Sequence, residues 1–281
     1  MRFLARLALG VLLTAVSVGL NLVPALQQTS ITQAALRLVI IALVLFGLWR
    51  GLARTILPTQ TPLARWLPIA VVLIAWQSLA WLLAIQGVFQ AGSRAAFLLP
   101  VAIFLPLLIG LPLLLRSDWL GRVLDAVPPT WLVGLQVYRV FGSIFVLGWL
   151  VGLLPAVFAL PAGLGDTLVG LLALPVAGMV SRNRLAGVAW NVLGVLDLAD
   201  AILLGILTSP GPLQLIVPDR ATVIGAYPLV LIPAFAVPLS VLLHAVSLRQ
   251  LRRLPRTAGE TASATRAGSP AVQYSPATPL S

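Results

Sequence analysis

The sequence predicts an all-α fold, a polytopic membrane bundle of about eight transmembrane helices, and three observations carry that prediction. Hydrophobic residues make up 60% of the chain and charged residues 9%, with a mean hydropathy of +1.06. A soluble surface needs roughly a quarter of its residues charged, so the apolar residues here must face lipid as well as one another. The apolar residues also come in runs of about 20, the length a helix needs to cross a hydrocarbon core of about 30 Å. Finally, arginines gather in alternate connections between those runs, the pattern of membrane topology.

Eight runs qualify as spans: Phe3–Val23, Ile31–Trp49, Trp66–Val88, Ala95–Leu115, Trp131–Val157, Leu164–Val180, Leu185–Leu207 and Ala221–Val246. Every one of the 18 basic residues is an arginine. Arg2 and Arg6 precede the first span, and Arg50, Arg54 and Arg65 lie between the second and third. Arg116 and Arg122 follow the fourth, and Arg182 and Arg184 follow the sixth. Arg249, Arg252, Arg253, Arg256 and Arg266 follow the eighth. The remaining connections hold only Arg94 and Arg220, so fourteen arginines lie on one side against two on the other. Positive-inside topology then puts both termini in the cytoplasm.

The start of the chain admits a second reading. A basic beginning, an apolar stretch and Val23-Pro24-Ala25 resemble a cleaved signal peptide. The long apolar run and a proline beside the cut favour a first span instead. Residues 1–256 are expected to form the membrane domain. Residues 257–281, rich in Ala, Ser, Thr and Pro, are expected to form a disordered cytoplasmic tail. The basic stretch Arg249, Arg252, Arg253 and Arg256 is expected to lie against anionic lipid headgroups.

Two spans are rich in proline: Pro100, Pro106 and Pro112 in the fourth, and Pro228, Pro233 and Pro238 in the eighth. Each proline removes a backbone donor, and the freed carbonyls need partners within the membrane. Gln77 lies twelve residues after Arg65, and Asp197 thirteen after Arg184. This correspondence suggests a parallel four-plus-four repeat, against which stands chance similarity in a Leu/Ala/Pro-biased chain.

Ionisable groups at membrane depth cost several kcal/mol unless paired or wet, so each is a candidate site residue. At about 1.5 Å rise per residue, Arg37 and Asp166 fall in the outer part, with Asp200 somewhat deeper. Asp197 and Gln77 lie near the midplane. Arg139, Asn191 and His244 fall in the inner half, with Gln136 and Tyr138 beside Arg139. Asp197 and Asp200 are three apart and share a helix face. Arg37 is the expected partner of Asp166 or Asp200, and Arg139 can reach Asp197. Asp166, after the run Leu160-Pro-Ala-Gly-Leu-Gly, is expected to sit in the first turn of the sixth helix, where the helix dipole favours a carboxylate. His244 reads as a headgroup-level residue. Gly148 and Gly152, and Gly187 and Gly194, suggest close packing of the fifth helix on the seventh, or a dimer seam.

Several chemistries are excluded. No cysteine is present, which removes disulfides, thiolate metal sites and cysteine nucleophiles. A single histidine removes His-rich metal sites. There is no lysine for a retinal Schiff base. No HExxH, GxSxG or P-loop pattern occurs, so no catalytic residue and no cofactor is expected, and the chain leans away from an enzyme. The dispersal of the arginines argues against nucleic acid. An Arg-only basic set also fits a GC-rich bacterial genome.

Three stretches carry a resemblance: Leu154-Pro-Ala-Val-Phe-Ala-Leu-Pro-Ala-Gly-Leu-Gly-Asp166, Trp190-Asn-Val-Leu-Gly-Val-Leu-Asp197-Leu, and Leu231-Ile-Pro-Ala-Phe-Ala-Val-Pro-Leu-Ser-Val-Leu-Leu-His244. Together they resemble a family of uncharacterised bacterial multi-pass inner-membrane proteins. The resemblance covers the C-terminal two-fifths or so and implies a plasma-membrane location without an activity. Two functions remain open. One is a small-solute or ion-coupled transporter, with Asp197, Asp200 and Arg139 lining a water-accessible cavity. The other is a structural or accessory membrane protein, partner unknown, whose ion pairs fix helix packing.

Overall fold

A computed structural model describes residues 2–22, 30–53, 61–94, 96–125 and 127–253. The elements in order are α1 (Arg2–Leu22), α2 (Ser30–Leu52), α3 (Pro62–Ile85), α4 (Leu98–Arg116), α5 (Asp118–Asp125) and α6 (Pro129–Leu135). A 3₁₀ segment (Gln136–Gly142) joins α6 to α7 (Ser143–Leu150). Then come α8 (Ala156–Met179), α9 (Arg184–Thr208), a π turn (Ile232–Ala236) and α10 (Val237–Arg253). No strand occurs among the described residues.

Among the described residues, six stretches are long and apolar enough to cross a membrane: Leu63–Ile85, Leu98–Arg116, Pro129–Leu150, Ala156–Met179, Arg184–Thr208 and Ile232–Arg253. Within α1 and α2 the apolar stretches among the described side chains are Phe3–Gly19 and Leu38–Arg50. Large apolar side chains point outward along these helices, among them Val72, Leu108, Leu164 and Leu185, each more than half exposed. An outer surface of that kind suits hydrocarbon and not water.

Local sequence explains where the helices begin. Thr61 caps α3, its hydroxyl accepting from the Ala64 amide at 3.3 Å, and Pro62 takes the first position, where a missing N–H costs nothing. Asn183 caps α9 in the same way, through the Ala186 amide at 2.9 Å. At the centre of the second half, α8 touches α1, α6, the 3₁₀ segment, α7 and α9. The last helix, α10, lies against α4, α6 and α9, while α2 packs on α3, α5 and α6. One apolar core joins α2, α4 and α10 through Val44, Leu48, Leu114, Phe235 and Leu239. Another lies between α8 and α9 around Val169, Ala173 and Trp190.

Four expectations need correction. The predicted fifth span Trp131–Val157 is not one α-helix: it tightens to 3₁₀ over Gln136–Gly142 and stops at Leu150. Gly152 lies in the turn that follows, at φ +78°, a conformation that favours glycine. Gly148 and Gly152 therefore form no helix–helix seam; Gly148 lies against Leu154 of the same turn. Secondly, the sixth span begins at Ala156 and not at Leu164. Pro161 lies inside α8 without ending it, at the expense of the helical bond to the Val157 carbonyl. Thirdly, the last span begins at Ile232 and not at Ala221, with a π turn that carries Pro233. Lastly, α5 was not expected. It is a short amphipathic helix whose Gly121, Val123 and Leu124 are buried.

The C-terminal end of α10 is tied to α4 and α5. Arg249 turns inward, donating to the Leu114 carbonyl and lying 3.7 Å from the Asp125 carboxylate. Arg253 pairs with Asp125 as well, though it stays exposed. Gln250 donates to the carbonyls of Leu124 and Val127, both at 2.7 Å. Arg256 and the predicted tail 257–281 lie outside the described residues, as does the possible cleavage site at 23–25.

Candidate functional site

Winding at three residues per turn eclipses side chains three apart, so the 3₁₀ segment aligns Gln136, Arg139 and Gly142 on one face. That face meets α8, α9 and α10. Gly170 of α8 makes the approach possible, because a Cβ there would collide with the Val140 amide and the Arg139 backbone carbonyl carbon.

Arg139 is 2% exposed and at the centre of the site. Its Nε donates to Asp166 Oδ1 of α8 at 2.5 Å, and its Nη2 donates to Asp197 Oδ2 of α9. Nη1 reaches the Gly194 carbonyl at 3.3 Å and His244 Nε2 at 3.1 Å. A guanidinium has no acceptor, so His244 Nε2 accepts and Nδ1 carries the ring proton. Nδ1 then donates to Asn191 Oδ1 at 2.9 Å. Asn191 in turn donates to the Gly187 carbonyl at 2.7 Å and to Ser247 Oγ at 3.0 Å. Gly194 leaves the space His244 occupies, since a Cβ there would overlap the imidazole. Gly165 does the same for Asp197. Beside the cluster, Gln136 donates to the Ser240 carbonyl at 3.1 Å and Tyr138 shares a 2.5 Å hydrogen bond with Ser240.

Two carboxylates thus share one guanidinium. With the imidazole neutral, the cluster carries one formal negative charge in excess, which a proton or another cation could balance. The two aspartates differ in access. The Asp166 side chain is 16% exposed and lines a cavity of about 670 Å³ among α4, α7, α8, α9, the π turn, the start of α10 and the connections at 89–93, 96–97, 209–213 and 221–226. The cavity walls are mostly apolar, and Asp166 is the one charged residue among those described that line it. Asp197 and Arg139 lie behind Asp166 and do not line it.

Of the residues singled out in the sequence, the fold gathers Arg139, Asp166, Asp197 and Asn191. Arg139 pairs with Asp197, as expected. Asp166 pairs with Arg139 and sits in the middle of α8, not in its first turn. Arg37 belongs to α2, but its side chain lies outside the described residues. Asp200 is apart from the cavity, exposed on the outer face of α9 with Leu196 and Leu203, and makes no ion pair among the described residues. Gln77 is buried at 4% on α3, and neither of its amide atoms has a hydrogen-bond partner among the described residues. Its neighbours on the same face, Ala80 and Ala84, pack on Val230, Leu231 and Ala234, well away from Arg139.

His244 is the residue that sequence reasoning misplaced. It is wholly buried, 5.0 Å from the Trp190 ring, and not at headgroup level. A signal was present: Ser240, His244, Ser247 and Gln250 recur on one face of α10, and all four are buried.

No curated protein and no solved structure matches the chain. A family model matches residues 96–252, more than half of the chain. The match begins with α4, upstream of Arg139, and contains the whole Arg139 cluster and all three stretches on which the resemblance was noted. The chain therefore belongs to the family described as Domain of unknown function (DUF8737).

Proposed function

We propose that this protein is an ion-coupled transporter of a small solute, with Arg139, Asp166 and Asp197 as its polar site. The observation that supports this reading most is the shared guanidinium: two carboxylates on different helices compete for Arg139, and one of them opens onto a cavity. Such a site has one charge to exchange with a proton or cation. Ionisable groups buried among spanning helices commonly mark relays of that kind. The reading also takes the chain as eight spans, α1 and α2 being added to the six candidate spans. Both termini are then cytoplasmic in a bacterial inner membrane, on the strength of the arginine distribution.

Proteoliposomes loaded with a pH-sensitive dye and given an inside-negative potential test the coupling. Wild-type protein is expected to admit protons above the rate of empty vesicles, and Asp197→Asn to lose at least nine-tenths of that excess (about 1.4 kcal/mol per tenfold). A rate equal to empty vesicles from folded wild-type protein over a range of pH would sink the idea.

The second reading, a structural or accessory protein, is favoured by one specific fact. Arg139 is sealed from the cavity, and of the three residues expected to line it, Asp197, Asp200 and Arg139, none does. On that reading Asp197→Asn impairs folding and leaves no flux to lose. The four-plus-four repeat is the least supported part. Its proline-rich spans do not match, since α4 holds all three of its prolines and α10 only Pro238, and α7 packs on α8, whereas α1 packs on α8, α7 and the 3₁₀ segment.

A further inference from the structure

The cavity in front of Asp166 has a chemistry of its own. Its volume of about 670 Å³ lies within the range of small-molecule sites, roughly 300–1,000 Å³. Phe145 and Phe158 meet edge to face, with ring centroids 5.4 Å apart, and Phe97 stands across from them on the α3–α4 connection. At the inner end sits the Asp166 carboxylate. It spends Oδ1 on Arg139, and its other oxygen holds no hydrogen bond among the described residues. None of the described lining residues is basic.

These facts sort ligands by charge and shape. An anionic amphiphile, such as a fatty acid, would bring its carboxylate against Asp166 with no cation to receive it. A small polar solute would leave the apolar walls unsatisfied. A hydrophobic cation meets both demands: its apolar body fills the aromatic part, where ring faces also attract positive charge. Its charge balances the carboxylate that Arg139 cannot fully neutralise. We propose that this cavity binds an organic cation with a bulky apolar body, its charged centre against Asp166. This names the class of solute for the transport reading and rests on that reading for its purpose, but binding itself can be measured without any flux.

Two probes of nearly the same shape and opposite charge make the test, tetraphenylphosphonium and tetraphenylborate. Each is titrated into full-length protein in nanodiscs of zwitterionic lipid, with empty nanodiscs subtracted. The phosphonium is expected to saturate at one per chain, and the borate to show no protein-dependent binding. Asp166→Asn should weaken the phosphonium at least tenfold, whereas Asp219→Asn, an exposed carboxylate outside the cavity, should leave it unchanged. Ala201→Trp fills the cavity with Asp166 intact and should abolish binding, which keeps the question decidable should the Asp166 variant fail to fold. Equal binding of both probes, no binding above empty nanodiscs, or a phosphonium affinity untouched by Ala201→Trp would each overturn the assignment. Binding without proton uptake by the wild type removes the transport reading and keeps the site. Uptake without binding removes the site alone.

Discussion

Arg139 is the residue on which the second half of the molecule closes, because α8, α9 and α10 each send it a partner. Removing one member of a buried pair strands the others, typically at about 3–5 kcal/mol. Arg139→Gln leaves Asp166 and Asp197 facing each other without a cation, so a loss of that order is expected, read as a lowered unfolding midpoint in mild detergent. The triple variant Arg139→Gln, Asp166→Asn, Asp197→Asn should recover most of the loss, since it strands no charge. If the triple variant is no more stable than the single one, the pairs are not what Arg139 contributes. Residue types were legible from sequence at this scale, and partners were not. Arg139 with Asp197 was within reach of a depth argument, since both lie on facing runs at neighbouring levels. The pairing of Asp166 with Arg139 was not legible because the depth of Asp166 depends on where α8 begins, and Pro161 hid that start. His244 was misread because its distance from the arginines of α10 suggested an interface. The polar face it shares with Ser240, Ser247 and Gln250 was the signal for burial, and Gly194 opposite it gives the ring its space.

Among the elements, the 3₁₀ segment and α8 lie closer together than side chains would ordinarily permit, and Gly170 is the reason. Gly170→Ala puts a methyl group against backbone atoms of Arg139 and Val140, which cannot rotate away. Overpacking of this type costs about 1–3 kcal/mol. The variant should lower the unfolding midpoint, while Gly205→Ala, where the nearest heavy atom to a Cβ is a Phe158 ring carbon at 3.5 Å, should not. Equal effects would mean that the contact is looser than it stands in the structure. Helix existence was readable from the apolar runs, and the runs matching α3, α4 and α9 differ from the helices by a few residues at either end. Helix character was not readable. A 3₁₀ segment and a π turn arise from contacts with neighbouring helices and from Pro233 and Pro238, and hydropathy is blind to both. The short helix α5 escaped notice for the opposite reason: at eight residues it is too brief for a spanning pattern.

At the scale of the whole molecule, the arginine distribution makes a prediction that the cysteine-free sequence allows to be checked directly. Ala91→Cys and Ser181→Cys place single thiols in connections that the topology assigns to opposite faces. In intact cells a membrane-impermeant maleimide should label Ala91→Cys, and Ser181→Cys only after permeabilisation. The reverse pattern would invert the molecule, and labelling of both from outside would mean a miscounted span. The same scale shows an asymmetry that no composition reveals. The paired charges Arg139, Asp166 and Asp197 collect around α8, α9 and the 3₁₀ segment, while α3 buries Arg65 near its start and Gln77, whose amide has no hydrogen-bond partner among the described residues. The family match covers the charged part and leaves α1, α2 and α3 outside it.

The tight winding of the middle of the fifth span has a mechanical side. Seven residues rise about 14 Å as a 3₁₀ helix and about 10.5 Å as an α-helix, at about 2.0 and 1.5 Å per residue. Rewound as an α-helix, the segment would shorten by about 3.5 Å and turn its ends by about 140° relative to each other. Arg139 sits at the middle of that screw and is pinned from three sides. The groups that fasten it are the two carboxylates whose charge a bound proton or cation would alter, so the latch and the spring share one residue.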